Sequence, residues 1–443
     1  MAGIGVAGVG VAGVGVAGVG VAGVAVAMRQ AYSAMQHFGP KGHSMTQSPE
    51  SIVRPALVLG LLSCIGPFAI DMYLPAMPEI GADLGASVQQ MQSTITAYFV
   101  AFGLAQLIYG PWADQAGRKT PLYAGIAVFI LGSVLCTFAP SVGWLLVGRF
   151  IQGLGGAALM VVPRAIIRDQ YTGPRATQLM AAVMLVISVS PMLAPLSGSV
   201  LMAFADWRWI FGALVLASAA SLTILTFAQP ETLPAAHRQK FDMARALRGS
   251  VSLLGDTKFM ALTFLGGFGM ASFFVFIASA AFVYTQTYGL SPTQFSLAFA
   301  VNAIGFFASS QAAGTLGMRY GPVRVMAVAT AGFAVVTVAL LLVALAGGAS
   351  LFVVIGGLFM ANACLGLVIP TTMVMALDDH GDMAGLASSL GGTLQMLAGG
   401  AMIAAMGPFF DGSVVPMLAA IAICGVLAFG LSRVVLARQT VTA

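Results

Sequence analysis

The segment GPWADQAGRKTP, residues 110–121, is a short polar turn between two long apolar stretches. It combines two glycines, which permit tight backbone geometry, with a proline at position 121 that can begin the next helix. Its acid, Asp114, can form ion pairs with the adjacent cations Arg118 and Lys119. The segment therefore predicts a charged turn that joins two apolar helices and could hold the two halves of the chain together on one side of a membrane.

Apolar residues make up 59% of the chain and charged residues only 7%, against roughly 25% charged residues in a soluble domain. Such a composition cannot cover a water-facing surface, so we expect lipid to contact much of the protein. The chain contains twelve apolar stretches, each near the roughly 20 residues that cross a bilayer core of ~30 Å. They lie at approximately 55–77, 88–109, 121–139, 143–165, 178–202, 208–228, 258–283, 293–315, 323–346, 351–374, 384–406 and 414–436.

The basic residues fall at alternate gaps between these stretches. Of the 19 Lys and Arg residues, all but Arg149 and Arg208 are assigned to one set of loops or to the terminal segments on that side. Membrane insertion leaves basic residues on the cytoplasmic side. The pattern therefore predicts an even number of membrane spans, with both termini in the cytoplasm.

The N-terminal segment differs from the rest of the chain. Residues 1–27 repeat the pentad Val-Ala-Gly-Val-Gly, whose period matches neither a helix nor a strand. We predict a disordered, low-complexity extension over residues 1–51, with Met28 or Met45 as alternative initiators. An additional span is the other interpretation, although an odd number of spans breaks the charge pattern.

The remaining chain divides at a long central gap. This gap is basic and contains prolines, so we predict a cytoplasmic linker at 230–257. It separates a first six-helix bundle at 52–229 from a second at 258–438. Two six-span halves are the layout of one large group of transporters. The expected fold class is thus all-α and integral to the membrane.

The opening segment also carries a family signature. Gly110, Asp114, Gly117, Arg118 and Lys119 have the spacing G-x-x-x-D-x-x-G-R-K, which resembles the loop 2–3 motif of the major facilitator superfamily. The resemblance implies the twelve-helix major facilitator fold and a role for these five residues as a conformational gate. The alternative is that Arg118 and Lys119 only reflect the general retention of basic residues in cytoplasmic loops. A degenerate echo without the acid follows the eighth stretch, at Gly314, Gly317, Arg319, Gly321 and Arg324.

Further segments resemble the bicyclomycin/chloramphenicol-resistance (Bcr/CflA) branch of the drug:proton antiporters. They are DMYLPAMP at 71–78, RFIQGLGGA at 149–157, PMLAPLSG at 191–198, WRWIF at 207–211 and PETL at 230–233. The resemblance covers the chain from about Ile52 to Arg438 and implies a multi-pass protein of a bacterial inner (plasma) membrane. In the fifth stretch, Ser190 and Ser197 stand where the antiporter motif usually has glycine.

Asp71 and Arg149 are the two charges assigned to the interior of spans, where a charge costs about 2.5–3.5 kcal/mol on insertion scales. Each is about six residues, or ~9 Å, from the non-cytoplasmic end of its span. Equal depth allows both to face one cavity, and we hypothesise that Asp71 carries the coupling proton beside Arg149. In the resembled antiporters an acidic residue of the first span has this role. The alternatives are a helix cap for Asp71 and a structural ion pair or carbonyl clamp for Arg149.

Polar residues and prolines within the spans are candidates for the wall of a substrate cavity. We select Tyr73, Gln152, Pro191, Pro195, Asn302 and Gln395. Aromatic lining could come from Phe273, Phe274, Phe276 and Phe306. A cluster before the eleventh stretch could supply an acid that pairs with Arg118 or Lys119, although acids near a helix N-terminus are favourable by themselves. The cluster consists of Asp378, Asp379, His380 and Asp382.

These features favour a proton-coupled multidrug efflux antiporter that works by alternating access. An exporter of a native metabolite, such as an amino acid or short peptide, is the alternative. An enzyme is not expected, because the chain has no HExxH motif, no GxSxG at a turn and no nucleotide-binding loop. The four cysteines lie in apolar stretches without metal-ligand spacing, so we expect no metal and no cofactor. The expected partners are a small-molecule substrate, protons and the lipid bilayer, with no nucleic acid and no obligate protein partner.

Overall fold

The computed structural model describes residues 53–171, 173–238 and 243–442, and all regular structure within these ranges is helical. Twelve helical segments are long and apolar enough to cross a membrane, which confirms the prediction of an all-α, twelve-span protein. Numbered as spans 1 to 12, they are Arg54–Asp83, Val88–Ala116, Lys119–Thr137, Val142–Gln170, Gln178–Met202, Arg208–Ala228, Thr257–Thr287, Pro292–Tyr320, Pro322–Leu345, Leu351–Asp378, Ala384–Phe409 and Val414–Ala437.

Span 1 is interrupted, which the sequence did not predict. Its α-helix Val53–Asp71 is followed by a 3₁₀ turn at Leu74–Ala76 and a short helix at Met77–Asp83. Pro75 has no N–H to donate to the carbonyl of Asp71, four residues earlier, so the α-helix cannot continue past that point. Asp71 therefore occupies the end of a helix within the span.

Other elements also depart from simple spans. Spans 5 and 12 are parts of longer helices, Gly173–Met202 and Val414–Thr442 respectively. In span 7 the α-helix Thr257–Phe282 continues into a π-helical turn at Val283–Thr287. In span 11 the α-helix Ala384–Met406 continues into a 3₁₀ turn at Gly407–Phe409. Outside the spans lie the helix Met243–Gly255 and 3₁₀ turns at Ala235–His237 and Gly381–Met383.

The two halves repeat local features at corresponding positions. Span 2 begins with a capping box formed by Ser87 and Gln90, and span 8 begins with the same box. Gly117 ends span 2 with a φ of 89°, a left-handed conformation that favours glycine. The span 8 counterparts are Ser291, Gln294 and Gly321, and the last of these has a φ of 83°.

Helix packing follows the same correspondence. Spans 1 and 5, 2 and 4, and 3 and 4 pack together in the first half, as do spans 7 and 11, 8 and 10, and 9 and 10 in the second. The halves meet through span 2 against span 11 and span 5 against span 8. The domain boundaries at 52–229, 230–257 and 258–438 stay a prediction. The linker contains the helix Met243–Gly255, which packs on spans 7 and 11.

Large apolar side chains are exposed on the outside of the bundle. They include Phe138, Phe204, Phe227 and Phe352, each more than three-quarters exposed. Such a surface is unfavourable in water and suits contact with lipid chains. The protein is therefore a multi-pass membrane protein. The predictions made for the N-terminal extension, including the alternative initiators, concern residues 1–51, which lie outside the described residues.

Candidate functional site

The guanidinium of Arg149 lies at the centre of a polar cluster inside the first half. The side chain is fully buried in span 4, and its Nη1 donates hydrogen bonds to the carbonyl of Ala69 at 2.9 Å and to Oε1 of Gln152 at 2.5 Å. Its central carbon lies 4.7 Å from the ring centroid of Tyr73 and 4.6 Å from that of Tyr98. Two aromatic faces and two oxygen acceptors thus stabilise a cation within the membrane.

The residues around Arg149 are themselves held by hydrogen bonds. The hydroxyl of Tyr73 lies 2.8 Å from Oγ1 of Thr94, and Tyr98 donates to the carbonyl of Gly66 at 3.1 Å. The amide of Gln152 donates to the hydroxyl of Ser133 at 2.8 Å. These bonds connect spans 1 to 4, so the orientation of the cluster is fixed by four helices.

Glycines in span 4 allow this close approach. A Cβ added at Gly153 would overlap the carbonyl of Tyr98 in span 2, and one added at Gly155 would overlap the backbone at Phe129 in span 3. Only glycine fits such contacts between helix backbones. These glycines of the RFIQGLGGA segment therefore bring the helices that carry the cluster together.

Asp71 is buried, with 4% of its surface exposed, at the end of the α-helix of span 1. The backbone of Met72 beside it is covered by span 5, where a Cβ at Gly198 would overlap the Met72 carbonyl. Among the described residues, no cationic nitrogen lies within 4.0 Å of the Asp71 carboxyl oxygens. Nε and Nη2 of Arg149 are buried and have no hydrogen-bond partner in the described chain.

The structure brings spans 1 and 4 together where Arg149 contacts Ala69, but without an Asp71–Arg149 ion pair. Arg149 binds the backbone two residues before Asp71, which is the carbonyl clamp left open as an alternative. Asp71 also ends a helix, as in its alternative interpretation. Sequence reasoning missed Tyr98 and Ser133, because nothing in the local pattern marks them as contacts of span 4.

The other cavity candidates are dispersed. Tyr73 and Gln152 are fully buried in the Arg149 cluster, and Pro191 and Pro195 are buried within span 5. Gln395, in span 11, is half-buried and lies beside span 7. Asn302, in span 8, is buried and donates to the carbonyl one turn earlier in its own helix.

The corresponding part of the second half is aromatic. Phe276 and Phe299 stack at 5.5 Å, and Phe273 and Phe306 stack at 5.6 Å. Phe274 stacks on Phe99 of the first half, with ring centroids 3.8 Å apart. The buried charges of the site consequently belong to the first half.

The predicted gate forms a compact ionic network. The guanidinium of Arg118 binds Asp114 at 2.6 Å and Asp169 at 2.7 Å and 3.0 Å. Lys119 donates from Nζ to the carbonyl of Thr226 at 3.3 Å. Gly110, one turn before Asp114, has open space where a Cβ would lie. The network therefore joins the ends of spans 2, 3, 4 and 6.

Glu231 completes this network. Its carboxylate accepts the backbone N–H groups of Arg118 at 2.9 Å and Lys119 at 3.1 Å, and a Cβ at Gly117 would lie 2.6 Å from its oxygen. Partial burial by itself raises the pKa of Glu231, but four backbone hydrogen bonds outweigh burial and lower it. Glu231 lies in the PETL segment at 230–233, but the sequence pattern predicts no role for it. The pattern does not mark Asp169 at all.

The gate pairs lie within the first half in this conformation, rather than between the halves as predicted. In the second half, Asp379 pairs with Lys258 at 2.6 Å, and His380 lies 3.2 Å from Asp256. Among Asp378, Asp379 and His380, none is paired with Arg118 or Lys119 in this conformation. The predicted pairing concerns a conformation closed on the cytoplasmic side and stays a prediction. The side chain of Asp382 lies outside the described residues.

We call the end of the bundle with the Arg118 network the basic end. Direct contacts between the halves lie toward the opposite end, where the amide of Gln92 in span 2 donates to the hydroxyl of Ser279 in span 7 at 3.1 Å. Spans 2 and 11 stay in contact from that end to about two-thirds of their depth, through the pairs Gln89–Gly407, Gly103–Thr393 and Gln106–Gly392. The described contacts thus hold the halves together at the opposite end and in the middle.

Arg208, the basic residue assigned to the opposite set of loops, has acidic partners there. Its Nη1 lies 3.1 Å from both Asp83 and Asp206, and its guanidinium stacks on Trp207. The Trp207 indole donates to Asp83 at 3.0 Å. This cluster ties the end of span 1 to the start of span 6, which explains why a cation is accommodated at this end.

Twelve spans in two corresponding halves, with a buried charged cluster and an ionic network at one end, define a polytopic membrane transporter. Residues 59–404 match the family model of the Major Facilitator Superfamily, and the chain belongs to this superfamily. It is accordingly a transporter of small molecules and not an enzyme.

Relatives with curated names support the same assignment. The chain is 34% identical to the "Uncharacterized MFS-type transporter YdgK" of Bacillus subtilis (strain 168), over 85% of this chain and 95% of that protein. It is 29% identical to the "Bicyclomycin resistance protein homolog" of Haemophilus influenzae, over 84% of this chain and 93% of the relative. A shorter match, 37% identical, covers 38% of this chain and 44% of the "Multidrug resistance protein MdtL" of Escherichia coli (strain K12). These matches agree with the resemblance to the Bcr/CflA branch.

Solved structures agree on the fold. A crystal structure of a D-xylose-proton symporter superposes with a TM-score of 0.70 at 14% identity, and the match covers 87% of this chain and 97% of that chain. A structure described as the inward open conformation of the xylose transporter XylE from E. coli gives a TM-score of 0.69, also at 14% identity, over 87% and 96% of the two chains.

Proposed function

We propose that this transporter is a proton-coupled multidrug efflux antiporter that works by alternating access, with Asp71 as the proton carrier. The observation that carries the proposal is the burial of Asp71 without an ion-pair partner at the meeting point of spans 1 and 5. Names of relatives that refer to bicyclomycin and multidrug resistance support the substrate class.

The environment of Asp71 suits a group that binds and releases a proton. Burying a carboxylate without a partner costs several kcal/mol, so the neutral acid is favoured in this conformation. Nε and Nη2 of Arg149 have no hydrogen-bond partner in the described chain, and Nη1 already contacts the backbone two residues away. In the proposed cycle these groups stabilise the Asp71 carboxylate once the proton leaves.

The remaining parts of the cycle follow from the positions of the contacts. The basic end faces the cytoplasm by the positive-inside rule, so the closed end faces outward. In this conformation Asp71 gives its proton to the cytoplasm as a substrate enters from the same side. The two six-helix halves then rock, the outer contact at Gln92 and Ser279 opens, and the substrate leaves. The Arg118 network holds the cytoplasmic ends of the first half as one unit during this movement.

The proposal is tested in an efflux-deficient bacterium that expresses the full chain. The wild type should raise resistance to several drugs, and Asp71→Asn should abolish the effect, whereas Asp71→Glu should retain part of it. Glu79→Gln is the matched control, because Glu79 is an exposed acid of the same span. Proton-dependent drug export by Asp71→Asn would refute the role of Asp71. A membrane-inserted wild type that confers no resistance would favour export of a native metabolite, and amino acids and peptides would be screened next.

A further inference from the structure

A pocket lies in the second half between spans 7, 10 and 11, toward the basic end. We call it the Thr263 pocket. Its wall includes Phe259 and Leu377 near that end and Thr372 and Gln395 deeper in the bundle. Hydroxyl and amide groups line it, and none of its lining side chains is ionisable. The pocket therefore has a mostly apolar, uncharged wall with a few hydrogen-bonding side chains, unlike the charged Arg149 cluster of the first half.

Three of the four polar side chains of this pocket have no partner within the described chain, whereas Thr372 donates to the carbonyl of Ile369 at 3.0 Å. Most buried serines and threonines of the spans bond to a carbonyl one turn earlier, as Thr371 does with Leu367 at 2.7 Å. Thr263, Ser388 and Gln395 make no hydrogen bond within the described chain, and all three face the pocket. Their free donors and acceptors are thus available to a bound molecule.

Glycines keep the pocket open. A Cβ at Gly391 would lie 3.8 Å from both Phe259 Cζ and Thr263 Oγ1, so a larger side chain there would enter the pocket without a clash at its Cβ. A Cβ at Gly266 would lie 2.9 Å from the amide nitrogen of Gln395 and from the hydroxyl of Thr372. Glycine at position 266 consequently leaves room for both polar groups beside span 7.

We infer that the Thr263 pocket binds an uncharged, hydrogen-bonding part of the transported molecule, such as a hydroxyl or amide group. The inference rests on the proposed function. A charged group would find no counter-ion among the lining residues and would lose its hydration, whereas a hydroxyl or amide regains its hydrogen bonds from Thr263, Ser388 and Gln395. The wall thereby selects for neutral polar substrates and against ionised ones at this position.

Equilibrium binding to the purified full chain tests the inference with two radiolabelled probes. Chloramphenicol is uncharged and carries hydroxyl and amide groups, whereas tetraphenylphosphonium is a cation without hydrogen-bonding groups. We expect Thr263→Val to weaken chloramphenicol binding about three- to tenfold, the value of one net hydrogen bond. Gly391→Val should fill the pocket and abolish that binding. Neither change should alter the affinity for tetraphenylphosphonium.

Two control variants make the same chemical changes elsewhere. Thr371→Val removes a hydroxyl that is satisfied within its helix, and Gly385→Val adds a side chain to span 11 where nothing lies within 4 Å of the Cβ. Both controls should bind chloramphenicol like the wild type. The inference is overturned if the wild type does not bind chloramphenicol, or if Thr263→Val and Gly391→Val bind it unchanged. If Thr263→Val and Gly391→Val bind chloramphenicol unchanged while proton-coupled export is intact, only the inference about the pocket fails. If both variants lose binding but the wild type shows no proton-coupled export, only the proposed function is contradicted.

Discussion

Arg149 and Gln152 should be energetically coupled, because Nη1 of Arg149 donates a hydrogen bond to Oε1 of Gln152 inside the protein. Arg149→Met removes the only described donor to Oε1 of Gln152 and leaves the Ala69 carbonyl without its side-chain donor. Gln152→Leu removes an acceptor from the buried guanidinium and a donor from Ser133. The double variant removes both the donor and the acceptor of the Arg149–Gln152 hydrogen bond, so neither is left without its partner.

The magnitude follows from these losses. Each buried polar group left unpaired costs about 1–3 kcal/mol, so Arg149→Met should lower the free energy of unfolding by about 2–4 kcal/mol after relief of the buried charge. Gln152→Leu should cost about 2–3 kcal/mol by the same reasoning. The double variant should lose about 1–3 kcal/mol less than the sum of the single variants.

Unfolding in mixed detergent micelles, followed by circular dichroism, measures these free energies. Thr330→Val serves as the uncoupled control, because Thr330 lies in span 9 and its hydroxyl bonds within its own helix. The loss of unfolding free energy in the Arg149→Met/Thr330→Val double variant should equal the sum of the two single losses to within about 0.5 kcal/mol. Additive losses for Arg149→Met and Gln152→Leu would refute the coupling.

Three further predictions concern the two ends of the bundle. Cysteines at Gln92 and Ser279, in a background without the native cysteines, should form a disulfide on oxidation that blocks transport until reductant is added; unchanged transport despite complete cross-linking would contradict a gate there. Hydrogen bonds lower the pKa of Glu231 below its ordinary value of 4.5, so its stabilisation is present above pH 4.5 and is lost as the pH falls through the lower folded-state pKa. Glu231→Gln should therefore reduce stability at pH 7 and flatten its decline in acid, as unfolding at several pH values would reveal. Arg118→Ala should reduce transport much more than Lys119→Ala in vesicle assays, because Arg118 is buried and binds the carboxylates of Asp114 and Asp169, whereas Lys119 donates to a single carbonyl, that of Thr226; equal losses would contradict this.

The sequence predicted the spans well because hydropathy and charge are properties of short segments. Each of the twelve predicted stretches overlaps a helix in the structure. The predicted turn at 110–121 is shorter than expected, because only Gly117 and Arg118 lie outside the helices of spans 2 and 3. The break in span 1 was missed, although Pro75 signalled it, because its apolar flanks continue the hydropathy pattern. Hydropathy registers length and composition, whereas a single missing N–H decides where an α-helix stops.

The partners of the candidate site were harder to predict. Arg149 was identified because a charge in an apolar stretch is conspicuous, but its contacts with Tyr98 and Ala69 depend on how spans 1, 2 and 4 pack. Asp169 and Glu231 were overlooked because acids near the ends of spans look like ordinary loop residues until Arg118 is seen between them. Contacts between distant segments are set by tertiary packing, which a single sequence does not display.

Proton release from the purified protein tests the central claim most directly. In weakly buffered detergent solution near neutral pH, addition of a transported drug should release protons from the wild type and from Glu79→Gln, as a pH-sensitive dye would report. Asp71→Asn should bind the drug without releasing protons. Proton release from Asp71→Asn equal to that of the wild type would contradict the account.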